Sequence, residues 1–259
     1  MTDLVLVERE GEIARITLNQ PAKLNAVNNA MWTRLGELFA ELDGDDGLRC
    51  VILAGSGERA FSVGADISEF EENRSTLERA RRYHERTHAA MQAIVGCRHP
   101  VIAQIRGLCV GGGLELASIC DLRICGASAR FGIPVKRLGL VVSYTELAPL
   151  VDLIGPAHAL EILLEGRIYG ADDALRMGLV NRVVPDAEVE REVLASAARI
   201  AEGAPLVARW HKKFTQRVLQ PDPLSPGEMD ESFHCFETED FRAGYQAFLA
   251  KSKPQFRGR

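Results

Sequence analysis

The sequence reads Gly111-Gly112-Gly113-Leu114-Glu115 between two apolar runs, residues 100–105 and 116–120. Three successive glycines let a backbone turn sharply from a strand into a helix, because they lack the side chains that would collide there. They also leave N–H groups at the start of the helix free to face a ligand. Glu115 follows about one turn inside the predicted helix, within reach of a substrate held by those donors. The stretch therefore indicates either a site that stabilises developing negative charge beside a general acid or base, or a glycine turn that serves only the packing of strand and helix.

The composition is that of a globular protein with a small ligand. The chain has 259 residues, of which 46% are hydrophobic and 26% are charged, and its formal net charge is −5. This length is sufficient for one large core, and the acidic balance argues against a nucleic-acid surface. The six cysteines are scattered, without the paired spacing of metal ligands, so we expect reduced thiols and a cytoplasmic location. We expect no membrane segment, because no apolar run approaches about 20 residues, and no N-terminal leader.

Strands and helices alternate along most of the chain, which predicts an α/β layered fold. We expect a strand-rich core over residues 1–195 and a helical C-terminal region over residues 196–259. Apolar patterns predict strands at residues 4–7, 13–18, 50–54, 100–105, 122–125 and 179–184. They predict helices at residues 114–120, 145–154, 157–164, 188–201, 205–219 and 228–250, a helix capped by Asn28 or Asn29, and a short helix that Asp172 or Asp173 caps and Gly178 ends.

A segment of mixed charge covers residues 69–92, where Arg74 and four further arginines alternate with glutamates. Opposite charges at helical spacing are typical of a solvated, ion-paired helix face; the functional alternative is a helix at the edge of a pocket. His84 and His88 stand four residues apart on this segment. They lack an acidic third ligand at a recognisable metal spacing, so we interpret them as surface or pocket-edge histidines and predict no metal site.

A second glycine turn, Gly55-Ser56-Gly57, leads into Ala60-Phe61 and then Gly64-Ala65-Asp66-Ile67. With this stretch the chain resembles the crotonase superfamily, the enoyl-CoA hydratase and isomerase family. That family's pattern continues with a Pro-Val-Ile-Ala strand, a Gly-Gly-Gly-x-Glu-Leu helix start and a Cys-Asp pair, which stand here at residues 100–103, 111–116 and 120–121. The resemblance covers nearly the whole chain.

The resemblance implies a spiral of β-β-α units followed by helices that pack subunits into trimers, commonly paired as hexamers. It implies an acyl-CoA thioester as the ligand and no separate cofactor, since coenzyme A is part of the substrate. The backbone N–H groups of Ala65 and Gly112 then form an oxyanion hole for the thioester carbonyl. Enolate chemistry requires such fixed donors, each worth roughly 10²- to 10³-fold in rate. The rim that receives the adenine and phosphate end of coenzyme A comprises Lys23, Leu24, Ala26, Ala65, Asp66 and Ile67.

Two of these positions also have structural interpretations. Asp66 is equally suited to cap a helix that begins near Ile67, and Lys23 on a turn is by default a solvated charge. Glu115 is different, because its neighbours Leu114 and Leu116 are apolar. An unpaired buried carboxylate costs several kcal/mol unless it has a function or a partner, so we predict that Glu115 is catalytic.

One position departs from the hydratases that the chain resembles. Their second glutamate follows a proline, and this position is Val135, which can neither accept nor donate a proton. We predict that Tyr144 replaces the missing carboxylate; Glu146 is the alternative, unless it faces solvent. A hydratase or dehydratase is the leading function, ahead of a methylmalonyl-CoA decarboxylase-like enzyme and an enoyl-CoA isomerase. The hypothesis from a different class is a non-catalytic acyl-CoA binding protein. We expect residues 70–91 and 136–144 to form the pocket wall.

Overall fold

A computed structural model describes residues 3–259 of the chain. The strands are β1 (Val5–Glu10), β2 (Ile13–Leu18), β3 (Cys50–Gly55), β4 (Ala60–Ser62), β5 (Val101–Ile105), β6 (Leu108–Val110), β7 (Leu122–Gly126), β8 (Arg130–Gly132), β9 (Tyr169–Gly170) and β10 (Arg182–Val184). The α-helices are α1 (Asn29–Asp43), α2 (Phe70–Arg74), α3 (Leu77–Gly96), α4 (Gly112–Ser118), α5 (Tyr144–Glu165), α6 (Ala171–Met177), α7 (Val189–Ala201), α8 (Pro205–Val218), α9 (Pro226–Glu231) and α10 (Glu239–Leu249). Short 3₁₀ helices cover Pro21–Lys23, Ile67–Glu69, Val135–Leu138, Asp186–Glu188 and Ser232–Glu237.

The strands form two sheets that the chain visits in turn. The larger sheet has the order β1-β2-β3-β5-β7-β10, and the smaller has the order β4-β6-β8-β9. All pairs are parallel except β1 with β2 and β8 with β9. From β3 to β8 the chain places one strand in the larger sheet and the next in the smaller, with a helix or turn before the following pair. This is the spiral of β-β-α units that the resemblance implies.

Successive residues along the strands of the larger sheet pack into two different hydrophobic cores. On β3, Val51 and Leu53 belong to the main core between the sheets, while Cys50 and Ile52 face the other way into a smaller core beneath α7. Successive strand residues point to opposite faces, so both faces of the larger sheet are apolar and covered. This explains why the predicted strands at residues 50–54 and 100–105 read as continuous apolar runs.

Helix α7 shows where the C-terminal region begins. The predicted boundary at residues 195 and 196 falls within this helix, and Val193 and Ala197 on either side of it both pack in the smaller core. The helix therefore belongs to the strand-rich part as one unit. The C-terminal helical region therefore begins after Ala201, where α7 ends, and its first helix, α8, begins at Pro205.

Several predicted helix ends are confirmed, but the prediction of one long helix at residues 228–250 is wrong. Asn28 caps α1, because its side chain accepts a hydrogen bond from the Met31 N–H at 2.9 Å. Gly178 ends α6 in the left-handed conformation, as predicted. The prediction that Asp172 or Asp173 caps α6 was wrong: the N-cap is Gly170, and both aspartates lie inside the first turn, where a negative charge favours the helix start. The single helix predicted at residues 228–250 is instead α9, a 3₁₀ helix and α10. The Thr238 side chain starts α10 by accepting from the Phe241 N–H at 3.0 Å, and its extended backbone interrupts the helix.

Helix α5 is long and apolar enough, by length and composition alone, to cross a membrane. The expectation that no apolar stretch approaches this length was therefore wrong. Gly155, at φ 75° and ψ 162°, is not helical and divides α5 into two segments before Pro156. Each segment is roughly 15 Å long at about 1.5 Å per residue, half the ~30 Å of a bilayer's hydrocarbon core. Two separate helices were predicted at this place, and the break at Gly155 confirms them.

Candidate active site

Two neighbouring strands of the smaller sheet deliver the two glycine turns to one place. Strands β4 and β6 are parallel and paired, with Ala60 opposite Leu108 and Ser62 opposite Cys109. The chain leaves β4 toward Gly64, and it leaves β6 toward the triple glycine. Because the carboxyl ends of parallel strands lie at the same edge of a sheet, the two turns meet there. This adjacency places Ala65 beside Gly112.

Glycine is required at the contact between the turns. Gly64 has φ +87°, and a Cβ added to it would lie 2.5 Å from the nitrogen of Gly112. A Cβ on Gly113 would lie 2.2 Å from the Ser62 carbonyl oxygen. Real Cβ atoms do not approach backbone atoms so closely, so any larger residue would push the turns apart. The Ser62 hydroxyl supports the first turn by accepting from the Gly64 N–H at 3.1 Å and donating to the Asn25 carbonyl at 2.8 Å.

The turns leave two donors and one carboxylate facing a common space. In residues 3–259, no protein oxygen accepts a hydrogen bond from the N–H of Ala65 or of Gly112. The point where a Cβ of residue 112 would stand is 3.6 Å from the Ala65 nitrogen and 3.6 Å from Glu115 Oε2. Since Ala65, Gly112 and Glu115 also line one pocket, a ligand in that pocket has access to both donors and to the carboxylate. Backbone donors aimed at one point are the arrangement that stabilises an oxyanion.

The pocket that Ala65, Gly112 and Glu115 line has a volume of about 180 Å³. Most of its wall is apolar, and its ionisable side chains include Glu115, Glu146, Arg74 and Tyr83. The predicted wall at residues 70–91 and 136–144 is confirmed, and α1 adds Trp32. The lining residues are Trp32, Val63, Ala65, Ile67, Phe70, Arg74, Tyr83, Thr87, Met91, Val110, Gly111, Gly112, Glu115, Pro134, Val135, Leu138, Leu140, Val141, Val142 and Glu146.

The pocket strongly perturbs Glu115. Burial raises the pKa of its carboxyl group from the model-peptide value of 4.5 to about 8; the negative charge of Glu146 adds to the rise, and the positive charge of Arg74 opposes it. Within the described chain no residue donates a hydrogen bond to this carboxyl group. At neutral pH it is therefore mostly protonated. Such a group suits proton transfer near neutral pH.

The structure places Val135 and Glu146 in the pocket wall and leaves Tyr144 outside it. Val135 begins a 3₁₀ helix and contributes an apolar surface at the position of the missing glutamate. The Tyr144 side chain is 92% exposed and is not one of the described residues that line the pocket. The prediction that Tyr144 supplies the second group is therefore corrected: Ser143 is the N-cap of α5, which leaves Tyr144 on the solvent side at the first helical position.

Glu146 is oriented by a capping box at the start of α5. Its Oε2 accepts hydrogen bonds from the Ser143 N–H at 2.9 Å and from the Ser143 hydroxyl at 2.6 Å. Two such bonds fix the side chain and satisfy two donors at the helix end. The same side chain lines the pocket. The site thus holds two carboxyl groups from different elements, Glu115 on α4 and Glu146 on α5.

The predicted rim residues gather around an isolated bridge between Val27 and Ala65. Lys23 Nζ donates to Asp66 Oδ2 at 2.6 Å and to the Ser68 hydroxyl at 3.0 Å. Burial alone would raise the pKa of Asp66, but hydrogen bonds from Lys23 and Ser68 outweigh it and lower the pKa. Asp66 also accepts from the Ser68 N–H at 3.0 Å, so it caps a 3₁₀ helix as predicted.

The other rim residues differ in what they present to a ligand. Leu24 has a left-handed backbone at φ 54°, held by the loop that the buried Asn25 anchors through hydrogen bonds to Ser56 and Ala60 carbonyls. Ala26 is only 6% exposed, so it has little side-chain surface to offer. Ile67 is 62% exposed and lines the pocket.

Sequence reasoning missed Arg74 as a separate feature. It groups Arg74 with the solvated charges of residues 69–92, yet Arg74 ends α2 and lines the pocket. Its neighbours in that segment behave as expected, since Arg82 pairs with Glu78 on the surface at 2.8 Å. His84 and His88 stack with ring centroids 5.8 Å apart, and neither is among the described residues of the pocket wall.

Comparisons with known proteins agree with this geometry. The sequence model of the family described as Enoyl-CoA hydratase/isomerase matches residues 8–259. The chain is 35% identical to the short-chain-enoyl-CoA hydratase of Clostridium acetobutylicum, over 96% of this chain and 95% of that protein. It is 34% identical to the crotonyl-CoA hydratase of Syntrophomonas wolfei, over 97% of each chain. A crystal structure of an enoyl-CoA hydratase/carnithine racemase from Magnetospirillum magneticum superposes with a TM-score of 0.98 at 47% identity, over 100% of this chain and 97% of that one. The chain belongs to the enoyl-CoA hydratase/isomerase family.

Proposed function

We propose that this protein is an acyl-CoA-processing lyase that adds water reversibly across the C2–C3 double bond of a short-chain 2-enoyl-CoA. The observation that carries the proposal is that the Ala65 and Gly112 N–H groups, which have no acceptor among residues 3–259, line one apolar pocket together with Glu115. The relatives that are named short-chain-enoyl-CoA hydratase and crotonyl-CoA hydratase support the same reaction class.

In this proposal the two N–H groups act on the thioester oxygen. They donate hydrogen bonds to the carbonyl oxygen, and these hydrogen bonds strengthen as negative charge develops on that oxygen. Removing one such donor typically costs roughly 10²- to 10³-fold in rate. Because the donors belong to the backbone of Ala65 and Gly112, their positions depend on the packing of the two turns. The binding energy is thus directed to the enolate rather than to the substrate alone.

Glu115 delivers the proton and Glu146 receives one. The water oxygen bonds to C3 while one of its O–H bonds breaks, and Glu146 takes that proton. The C2–C3 double bond becomes single, and C2 takes the proton of the Glu115 carboxyl group. The pKa of about 8 keeps this proton on Glu115 at neutral pH. Transfer between the two carboxyl groups, directly or through water, restores the starting state.

This assignment gives Glu146 the part that sequence reasoning assigns to Tyr144. One Glu146 oxygen is held by Ser143, and the other has no described hydrogen-bond partner, so it has a free acceptor for water. Val135 lines the same pocket and makes no contribution to proton transfer. The pair therefore differs in position from the two glutamates of the hydratases that the sequence resembles.

The size of the pocket favours a short acyl group. A cavity of roughly 150 Å³ accepts a molecule of about six carbon atoms, and this pocket has about 180 Å³. Coenzyme A itself would remain outside, on the rim of Lys23, Leu24, Ala26, Asp66 and Ile67. The proposed reaction uses coenzyme A only as part of the substrate and requires no other cofactor.

Assembly and location are further parts of the proposal. Five aromatic side chains near the C-terminus stay largely exposed in the single chain, at Phe233, Phe236, Phe241, Tyr245 and Phe248. Exposed apolar patches of this kind mark interfaces, which supports a homotrimer or hexamer; light scattering after size exclusion tests it. All six cysteines are free thiols, which supports a cytoplasmic location.

Mass spectrometry of the product tests the reaction. Purified protein incubated with crotonyl-CoA is expected to yield a thioester heavier by one water. Loss of carbon dioxide from methylmalonyl-CoA instead would favour the decarboxylase alternative, and conversion of a 3-enoyl-CoA without change of mass would favour the isomerase. Binding of these thioesters without turnover of any would overturn the enzyme proposal and leave the acyl-CoA binding protein. The Tyr144→Phe variant serves as a control that should react like the wild type.

A further inference from the structure

We infer that Arg74 makes the acyl pocket selective for acyl-CoA thioesters whose acyl chain ends in a carboxylate. This inference rests on the proposed function, since it names the substrate class of the same site. It concerns a side chain that neither the Gly-rich turns nor the proton-transfer scheme uses.

Arg74 is held between two aromatic rings of the pocket wall. Its guanidinium carbon lies 4.8 Å from the centre of the Phe70 ring and 4.5 Å from the centre of the Tyr83 ring. Tyr83 is buried, and its hydroxyl accepts a hydrogen bond from Trp32 Nε1 at 3.2 Å. Aromatic faces fix a guanidinium while leaving its edge free to donate. The cation is therefore oriented before any ligand arrives.

The guanidinium has no acidic partner in the described chain. No Asp or Glu oxygen among residues 3–259 lies within 4 Å of it, and its buried Nε has no hydrogen-bond partner there. The arginines that follow it differ: Arg79 donates to the Glu71 carbonyl at 3.1 Å, and Arg82 pairs with Glu78. A partly buried cation without a counter-ion is costly to the fold. Its position in a pocket points to an anionic ligand.

The pocket also contains the carboxyl groups of Glu115 and Glu146, and neither of them pairs with Arg74. The charge of Arg74 acts on Glu115 across the pocket by opposing the rise of its pKa, but no ion pair or hydrogen bond joins Arg74 to Glu115 or Glu146 within the described residues. The Tyr83 hydroxyl interacts with Arg74, but no carboxylate among the described residues of the pocket takes up the guanidinium donors. Val135, Leu138 and Val142 in the same wall are apolar, and the free N–H groups of Ala65 and Gly112 are assigned to the thioester oxygen.

A carboxylate is the anion that fits this donor. The planar guanidinium matches a carboxylate with two parallel hydrogen bonds, and the confined volume leaves space for a short chain. The phosphates of coenzyme A are proposed to lie at the Lys23 rim, outside this pocket. The structure thus indicates an acyl terminus as the source of the negative charge.

The test compares two saturated thioesters by isothermal titration calorimetry. Glutaryl-CoA and pentanoyl-CoA have acyl chains of equal carbon number, share coenzyme A, differ in the terminal group, and lack the double bond that hydration needs. Wild-type protein is expected to bind glutaryl-CoA roughly 10- to 100-fold more tightly, the gain typical of hydrogen bonds between charged groups. In Arg74→Met this preference should disappear. Arg74→Lys keeps the positive charge but lacks the planar pair of donors, so it should retain part of the preference for glutaryl-CoA.

Arg82→Met is the matched control, because Arg82 is exposed and is not one of the described residues of the pocket wall. It should keep the wild-type preference. Equal binding of both thioesters by the wild type would overturn the inference and leave the proposed function standing. A preference unchanged in Arg74→Met, or an equal loss of both affinities, would also overturn it, since Arg74 would then act on coenzyme A or on packing. Binding of neither thioester by the wild type would overturn both proposals.

Discussion

Replacing Glu115 by Gln should make the protein more stable while removing its activity. The folded pocket raises the pKa of Glu115 from 4.5 to about 8, mainly through burial. The folded state therefore binds this proton more tightly than the unfolded state. Its contribution to stability is fully present below pH 4.5 and is lost as the pH rises through about 8. Glutamine has the shape of the protonated side chain and does not titrate.

The size of the effect follows from the shift of the pKa. One pKa unit corresponds to about 1.4 kcal/mol, so a rise from 4.5 to about 8 costs the fold roughly 5 kcal/mol once the carboxyl group is ionised. The free energy of unfolding of Glu115→Gln should exceed that of the wild type by about 1 kcal/mol at pH 5, about 3 kcal/mol at pH 7 and about 5 kcal/mol at pH 9. Activity should fall by roughly 10²- to 10⁴-fold.

Urea denaturation at these three pH values measures the difference. Both proteins must be compared at equal concentration, because subunit association contributes to the apparent stability. Glu85→Gln, which removes an exposed carboxyl group on α3, is the matched control and should show no such growth with pH. A stability difference between Glu115→Gln and wild type that stays constant from pH 5 to pH 9 would refute the reasoning that the pocket raises this pKa.

Other substitutions test the remaining parts of the site. Gly64→Ala should lower kcat/KM by roughly 10²-fold or more, because its Cβ would press on a donor at 2.5 Å; steady-state kinetics with circular dichroism separate this from unfolding. Glu146→Gln should lower kcat and shift the Glu115 limb of the pH–rate profile to lower pH, since the charge of Glu146 raises that pKa; Tyr144→Phe should do neither. Lys23→Met should raise KM by at most about fivefold at unchanged kcat, because the Lys23 side chain is 50% exposed and a contact of such a solvated charge with the ligand is worth about 1 kcal/mol or less; a change of kcat instead would place Lys23 in the chemistry.

Much of the fold was predictable because its signals are local. The apolar runs of β3 and β5 and the cap at Asn28 each depend on a few adjacent residues. The strands of the smaller sheet escaped prediction, since β4, β6, β8 and β9 have three residues or fewer and show no measurable alternation. The predicted helix at residues 228–250 was wrong because apolar spacing alone does not show the extended backbone of Thr238.

The site, like the fold, has some residues that local sequence predicts and others that only the three-dimensional structure identifies. Glu115 could be predicted from the glycine turn that precedes it, whereas the pairing of Ala65 with Gly112 followed from the family resemblance. The placement of Glu146 required the packing of α5 against α4, although the Ser143 to Glu146 spacing already indicates a capping box. Arg74 could not be singled out, because only the three-dimensional structure shows which arginine of a charged segment meets two aromatic rings.

Exchange of the C2 hydrogens of butyryl-CoA in heavy water tests the central claim most directly. This saturated thioester cannot be hydrated, so exchange reports only enolate stabilisation by the two N–H groups and proton transfer by Glu115. Mass spectrometry should show deuterium entering at C2 with the wild-type protein and not with Glu115→Gln. No incorporation by the wild type, or equal incorporation by the variant, would contradict the account.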